Sequence, residues 1–443
     1  MPRPPRIALV AALAVALTPA ATAGGSPAAI RDARLAAASA GVHGHGRRPV
    51  AVAPAPTSPP PLAGPAGDRF YVPPAALVPG PAGSLIWSRP ATGLAALPAA
   101  ARSRLLLYRS RNLAGRPIAV SGVLLVPHGT PPAGGWPVVS WQHVTTGSAD
   151  SCAPSRVTPE SPERERMTRG DAITSRLLAA GIAVVRSDGE GIGTPGPHPY
   201  LVGPSLARAQ TEIVRAARQL EPRLARRWVA AGHSEGAVSS LFSASLARQL
   251  APDLDLRGAA AAAPVTAMRE TLDTLRHVPL SLPPLDAMTA LGGLVVAGVA
   301  DADPALGRLV REGALSPRAT ALLAHVEQRC LVELGHSDSW GGLAPAAIPG
   351  PRFAEAQPLL YRALDANDVR RIDLGRTPVR IDHGLLDLVA PFTNTEEIVR
   401  VQRERGADLE YVRHLTASHV DITGDGQAGP AMVAWIAARL AAR

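Results

Sequence analysis

The sequence predicts an α/β fold: a mostly parallel sheet with helices on both faces and a helical segment inserted late in the chain. Three observations carry this. Short apolar runs alternate with longer helical patterns from residue 104 onward. The runs are short enough to be buried strands and are followed by helices, as parallel connections require. Between about 266 and 365 the strand rhythm stops, and helical stretches separated by Pro and Gly take over.

In chain order, residues 104–108 and 118–126 read as early antiparallel strands. Strands follow at 136–142, 182–187, 228–231, 258–264, 378–382 and 411–416. Helical patterns occupy 171–180, 205–226, 236–249, 394–405 and 429–442. The expected organisation is a core of 69–265 and 366–443, interrupted by a cap at 266–365.

The first 68 residues stand apart. Arg3 and Arg6 precede an apolar run from Ile7 to Leu17, and Ala21-Thr22-Ala23 is a small-x-small cleavage pattern. Residues 1–23 therefore read as a signal peptide and the chain as secreted. Residues 24–68 are rich in Pro, Ala and Gly and read as a flexible segment without a core. No later segment reads as a membrane helix, because the Ala-rich runs are broken by Pro, Gly or charge.

Composition bounds the rest. At 46% hydrophobic and 18% charged over 443 residues, a wholly disordered chain and a coiled coil are excluded. With 4 Phe, 5 Tyr and 6 Trp, the core is built mostly from Ala, Val, Leu and Ile. The net charge of +9 does not indicate nucleic-acid binding. Every basic residue is Arg, the Arg residues are dispersed, and no basic helix is interleaved with aromatics.

The sharpest motif is Gly232-His233-Ser234-Glu235-Gly236, between the apolar run Trp228–Ala231 and a helical pattern. Strand, sharp turn and helix are what G-x-S-x-G needs to raise a serine hydroxyl above a sheet edge. Side chains two residues either side would collide with neighbouring elements, so both are Gly. Gly335-His336-Ser337-Asp338-Ser339 is a weaker echo without the second Gly and without a preceding core strand.

A serine hydroxyl needs a base, and the base an orienting acid. With such an elbow, the order along the chain is Ser, acid, His. Three His follow residue 337: His383, His414 and His419. His419 sits in a loop past the last strand and is the expected base, whereas His414 lies within the strand. Asp387 follows Gly384 on a loop before Pro391 and is the expected acid, with Asp382 the alternative. The loop Gln142–Gly147 can supply a backbone amide at Thr145, and the start of the elbow helix another at Glu235. His143 reads as structural. The acids at Asp421 and Asp425 only faintly follow a calcium-loop spacing and lack its ligand set. The chemistry calls for no metal and no organic cofactor.

With these residues placed, the chain resembles the secretory lipases, the α/β-hydrolase family that includes yeast lipase A and exported actinobacterial lipases. Four stretches carry the resemblance: SWQHVTTGSADSCAP at 140–154, SDGEGIGTPGPHPYLVG at 187–203, AAGHSEGA at 230–237 and PVRIDHGLLDLVAP at 378–391. It implies an α/β-hydrolase fold with a helical cap over the acyl site. It also implies Ser234, Asp387 and His419 as triad, oxyanion residues at Thr145 and Glu235, and a Cys152–Cys330 disulfide. Two departures stand out. Asp188-Gly189-Glu190-Gly191 replaces the family's frequent Asp-Tyr-x-Gly, and Glu235 stands where Gln is common.

The expected function is a secreted serine lipase acting on acylglycerol esters, with a lipid or other ester as partner, an oil–water interface included. Two readings stand beside it: a carboxylesterase for short or soluble esters, and a non-catalytic exported binding protein. The sequence sets no oligomeric state.

Overall fold

Nine strands pair into one sheet in the order β1-β2-β3-β5-β4-β6-β7-β8-β9. They are β1 (Leu85–Pro90), β2 (Arg102–Arg111), β3 (Pro117–Val126), β4 (Trp136–Gln142) and β5 (Ala183–Ser187), followed by β6 (Leu224–His233), β7 (Asp255–Ala262), β8 (Val379–Gly384) and β9 (Leu409–His414). The pairs β1–β2, β2–β3 and β3–β5 are antiparallel, and every pairing from β5 through β4 to β9 is parallel. The structure is a computed structural model that describes residues 62–75 and 80–442. The expected signal peptide at 1–23 and residues 24–61 of the expected flexible segment lie outside the described residues.

Helices cover both faces. They are α1 (Asp171–Ala179), α2 (Gly203–Leu220), α3 (Glu235–Leu250), α4 (Met268–Leu275), α5 (Leu285–Ala302), α6 (Pro317–Gln328), α7 (Phe353–Ala366), α8 (Phe392–Glu404) and α9 (Gly429–Ala441), with shorter turns between them. Alternation along the strands sorts residues between two cores. Val138, Ala230, Ala259 and Ala261 join Leu206, Ile213 and Leu241 of α2 and α3 on one face. Val139, Ala231, Ala260 and Ala262 join Leu177 of α1 and Met432 and Ile436 of α9 on the other. This is the α/β-hydrolase architecture, a mostly parallel sheet with helices on both faces.

Four expectations change. β1 lies outside the strands that the sequence pattern predicts: its sequence, LIWSRP, is mixed and ends in Pro, as an edge strand allows. The helix expected over 205–226 stops at Leu220. Pro222 drives Glu221 out of helical geometry (φ −127°, ψ 88°), and Leu224 already pairs with Trp136 in β4. The Pro-rich segment before residue 69 is not without structure at its end: the amide of Gly64 donates to the Ser88 carbonyl and the Ser88 amide to that of Leu62. Finally, α5 is long and apolar enough to cross a membrane by length and mean hydropathy alone (1.4), an apolar stretch that the sequence reading did not single out. It packs instead into the core through Ala290, Leu294, Val295 and Val299, and its glycines admit close neighbours. A Cβ on Gly298 would lie 2.4 Å from the backbone nitrogen of Tyr200.

Between β7 and β8 the chain runs through α4 to α7 with no strand among the described residues. Cys152, after β4, and Cys330, after α6, form a disulfide with Cα atoms 5.5 Å apart. It ties the inserted helices to the loop that follows β4.

Candidate active site

Ser234 ends β6 and opens α3 with φ 59° and ψ −115°, a region that a residue with a Cβ enters only under constraint. The flanking glycines make the turn sterically possible. A Cβ on Gly232 would fall 2.3 Å from the Gly236 carbonyl oxygen, and one on Gly236 would fall 2.1 Å from that of Gln142. The expectation of glycine on both sides of the elbow thus has a specific origin. The last residue of β4 and the first turn of α3 cross at van der Waals contact.

His419 lies in the turn between β9 and α9, and Asp387 in the turn between β8 and α8. The amide of Leu385 donates to the His414 carbonyl and that of Leu386 to the Ala417 carbonyl, so the two turns are laced together. His419 Nδ1 donates to Asp387 Oδ2 at 2.7 Å, and its Nε2 accepts from Ser234 Oγ at 2.9 Å. The three residues, 185 positions apart at the extremes, form one buried hydrogen-bonded line.

Asp387 is more heavily held than the sequence indicates. Its Oδ1 accepts from the amides of Val389 (2.9 Å) and Ala390 (2.7 Å), and its Oδ2 also meets His383 Nε2 at 3.2 Å. Burial alone would raise its pKa. The bonds from His383 and His419 and the Ala390 amide outweigh burial and hold the carboxyl below the ordinary range. His383 donates from Nε2 to the Ala390 carbonyl (2.8 Å) and accepts at Nδ1 from Thr395 Oγ1 (2.8 Å). His233, beside the serine, packs its ring 5.2 Å from that of His419. Burial, then the charges of His419 and Arg169, push its pKa well down, so it stays neutral.

Thr145 follows β4, and Glu235 is the first residue of α3, whose first-turn amides have no partner inside the helix. Both are buried. Thr145 Oγ1 is 3.0 Å from the Tyr200 hydroxyl, and Glu235 Oε1 is 2.9 Å from His198 Nε2. His143 is held by backbone carbonyls, at 2.6 Å from Val144 and 3.0 Å from Asp188. Asp188, in the stretch that departs from the family pattern, accepts from Ser121 Oγ (2.6 Å) and the Ser155 amide (2.8 Å). Gly189 beside it has φ 95°, a conformation that penalises a side chain.

The alternative acid and base pair with each other. Asp382 accepts from His414 Nε2 at 2.9 Å and from Arg380 at 2.8 Å through each oxygen. Ser337 is exposed on a turn after the short helix Leu331–Leu334. Asp421 accepts from the Ser418 amide, and Asp425 pairs with Arg176. Sequence reasoning does not find His383, His198, Tyr200 or His233. One signal points toward His198: a carboxylate at Glu235, beside the elbow, demands a partner if it is buried.

Fold and geometry together define an α/β-hydrolase with a serine, a histidine and an aspartate aligned at the carboxyl ends of its parallel strands. The chain belongs to the secretory lipase family, which it matches over residues 166–443, more than half its length. A probable inactive lipase of Mycobacterium tuberculosis (strain CDC 1551 / Oshkosh) is 29% identical over 259 residues, 56% of this chain and 55% of that protein. The match thus spans about half of that relative's length. Lipase A of Arthroderma benhamiae is 25% identical over 352 residues, 76% of this chain and 70% of the relative. Among solved structures, Candida antarctica lipase A in its closed state superposes with a TM-score of 0.68 at 20% identity, covering 84% of this chain and 93% of that one. A rice cell wall degrading esterase, LipA of Xanthomonas oryzae, gives 0.62 at 21% identity, covering 80% and 97%. At these identities the two structures bear on the fold alone.

Proposed function

We propose that this chain is a secreted serine lipase that hydrolyses acylglycerol esters through an acyl-enzyme. The observation that carries the reading is the line Asp387–His419–Ser234, with bonds of 2.7 and 2.9 Å ending on a serine at φ 59°. His419 takes the Ser234 proton as Oγ attacks the ester carbonyl, and Asp387 fixes the imidazole and stabilises its charge. The amides of Thr145 and Glu235 receive the oxyanion. His419 then protonates the departing alcohol, and water attacks the acyl-enzyme with His419 again as base. Export is supported by the family and by the disulfide, which belongs to an oxidising compartment.

An apolar rim supports a lipid substrate. Leu386, Leu388, Val389, Leu415 and Val420 are exposed on the two turns that carry Asp387 and His419. They give these turns an apolar border beside the reacting groups, suited to an oil–water interface. The non-catalytic reading requires Ser234 or His419 out of reach, and the 2.9 Å bond between them weighs against it.

A chain-length series of esters, dissolved and emulsified, with wild type and Ser234→Ala in parallel, tests these readings. The lipase reading expects rates that rise with acyl length and at an emulsion surface, and a loss of about 10³-fold or more in Ser234→Ala. Rates that peak at short soluble esters would favour the esterase. Full activity in Ser234→Ala would dismiss the site.

A further inference from the structure

Two side chains from one short turn reach the two residues whose amides are assigned to the oxyanion. The turn is His198-Pro199-Tyr200, between β5 and α2. Its first residue bonds Glu235 and its third bonds Thr145, at 2.9 and 3.0 Å. All four side chains are buried.

The proton count at His198 is constrained. Its Nδ1 lies 2.8 Å from the Glu190 carbonyl, which can only accept, so Nδ1 carries a hydrogen. Its Nε2 faces the Glu235 carboxyl, and one more proton lies in that contact, on the imidazole or on the acid. Burial opposes a charged imidazole, but the bond and charge of Glu235 and the Glu190 carbonyl outweigh it and raise the His198 pKa. Wherever that proton rests, the contact is a buried hydrogen bond between the turn and the residue that follows the serine.

The turn itself is tightly held. A Cβ on Gly191 would fall 2.2 Å from the Pro197 carbonyl oxygen, and Gly298 of α5 presses on the Tyr200 nitrogen from the insertion side. Leu201, next along, is forced to φ 57°. The Gly203 amide is taken by Asn367 Oδ1 at 2.9 Å, past the end of α7. A turn fixed on so many sides can transmit that rigidity to what its side chains grip.

We infer that His198 and Tyr200 are positioning residues that brace both halves of the oxyanion site, His198 through Glu235 and Tyr200 through Thr145. The inference rests on the ester-hydrolysis reading above. Its consequence is specific. Two donors from separate elements, the β4 loop and the α3 terminus, share one support, so their mutual spacing is set by three residues.

The test is a double-mutant cycle on Thr145→Val and Tyr200→Phe, with His198→Gln measured beside it. The probe is a p-nitrophenyl alkylphosphonate. Ser234 Oγ bonds to phosphorus, the P–O(aryl) bond breaks, p-nitrophenolate leaves, and His419 takes the serine proton. The phosphoryl oxygen then sits where the oxyanion would. Active sites are counted by the nitrophenolate released, so unfolded protein does not enter the rates. Each single variant is expected to lower kcat and the labelling rate together by about tenfold, with KM within about twofold. The double variant is expected to be no worse than either single one. Additive losses, unchanged kcat in Tyr200→Phe or His198→Gln, or a change in KM alone would each overturn the brace. Ser234→Ala separates this from the underlying reading. If it labels like wild type, the nucleophile assignment falls and the brace with it. If wild type labels and Ser234→Ala does not, the Tyr200 and His198 results judge the brace alone.

Discussion

The ends of β8 and β9 carry two aspartate–histidine pairs, Asp382–His414 and Asp387–His419, each 32 residues apart and five positions from the other. The residue types and spacing are the same. What differs is the company each pair keeps. Asp382 is still in the strand, and Arg380 grips both its oxygens, so a permanent charge already satisfies it before His414 arrives. Asp387 is past the strand, where two backbone amides and two imidazoles hold it and, among the described residues, no guanidinium does. The outer nitrogen of His419 meets a serine hydroxyl. The first pair is a strut between two strands. The second leaves its imidazole free to accept and return a proton. On the proposed reading, what separates the working pair from the strut is less the pair than the third group at each end.

Exchanging the histidines gives the largest contrast. His419→Ala is expected to lower kcat by about 10⁵-fold, because the serine loses its base. His414→Ala is expected to change kcat per folded molecule by less than about threefold, its effect being on the strand edge. Ester hydrolysis normalised to folded protein measures both. Equal losses would erase the distinction between the two pairs.

The aspartates split differently. Asp387→Asn keeps the shape but no longer favours the tautomer that leaves Nε2 free to accept, and kcat is expected to fall by about 10⁴-fold. Asp382→Asn leaves the buried Arg380 with Glu410 as its remaining carboxylate. It is expected to cost about 3 kcal/mol in denaturant unfolding while sparing kcat. If Asp382→Asn left stability intact and cut activity, the strut would be the working pair.

Local signals in the amino-acid sequence make one member of this contrast legible. Gly384 ends the strand, Pro391 precedes the helix, and Asp387 falls between them. His419 lies in a loop past the last strand, and Ser234 announces itself through two glycines. Strand positions 136–142 and 118–126 are legible for the same reason, as unbroken apolar runs. What the sequence leaves dark is direction across loops. His198 reaches Glu235 over 37 positions and Tyr200 reaches Thr145 over 55, through turns whose path depends on glycines at 189 and 191. His383 looks like a strand residue and is one, yet its ring turns toward Asp387 because Thr395 and Ala390 hold it there. β1 stays hidden because an edge strand, half exposed and ending in Pro, carries little apolar pattern.

His383 sharpens the comparison on a smaller scale. It gives Asp387 a second imidazole where Asp382 has an arginine. His383→Ala is expected to lower kcat about tenfold, by removing a hydrogen bond to a charged group, and to leave KM near wild type. A pH–rate profile checks it: loosening the carboxylate moves the profile as well as its height, whereas a purely structural loss lowers the height alone.

The smallest effect is in the acid range. Hydrogen bonds from His383 and His419 hold the folded Asp387 carboxyl below its value in the unfolded chain, about 3.9. A depressed carboxyl contributes stability that is fully present above the unfolded pKa and is lost as pH falls through the folded one. The unfolded state binds the proton first, so acid favours unfolding. The Tm difference between wild type and Asp387→Asn is therefore expected to be constant above about pH 5 and to shrink from there downward, as both proteins come to carry a neutral group at this position. Thermal melts at pH 7, 5, 4 and 3 measure it. A difference that grew on acidification would mean that Asp387 is not held ionised by its imidazoles, and the contrast with the arginine-gripped Asp382 would lose its electrostatic basis.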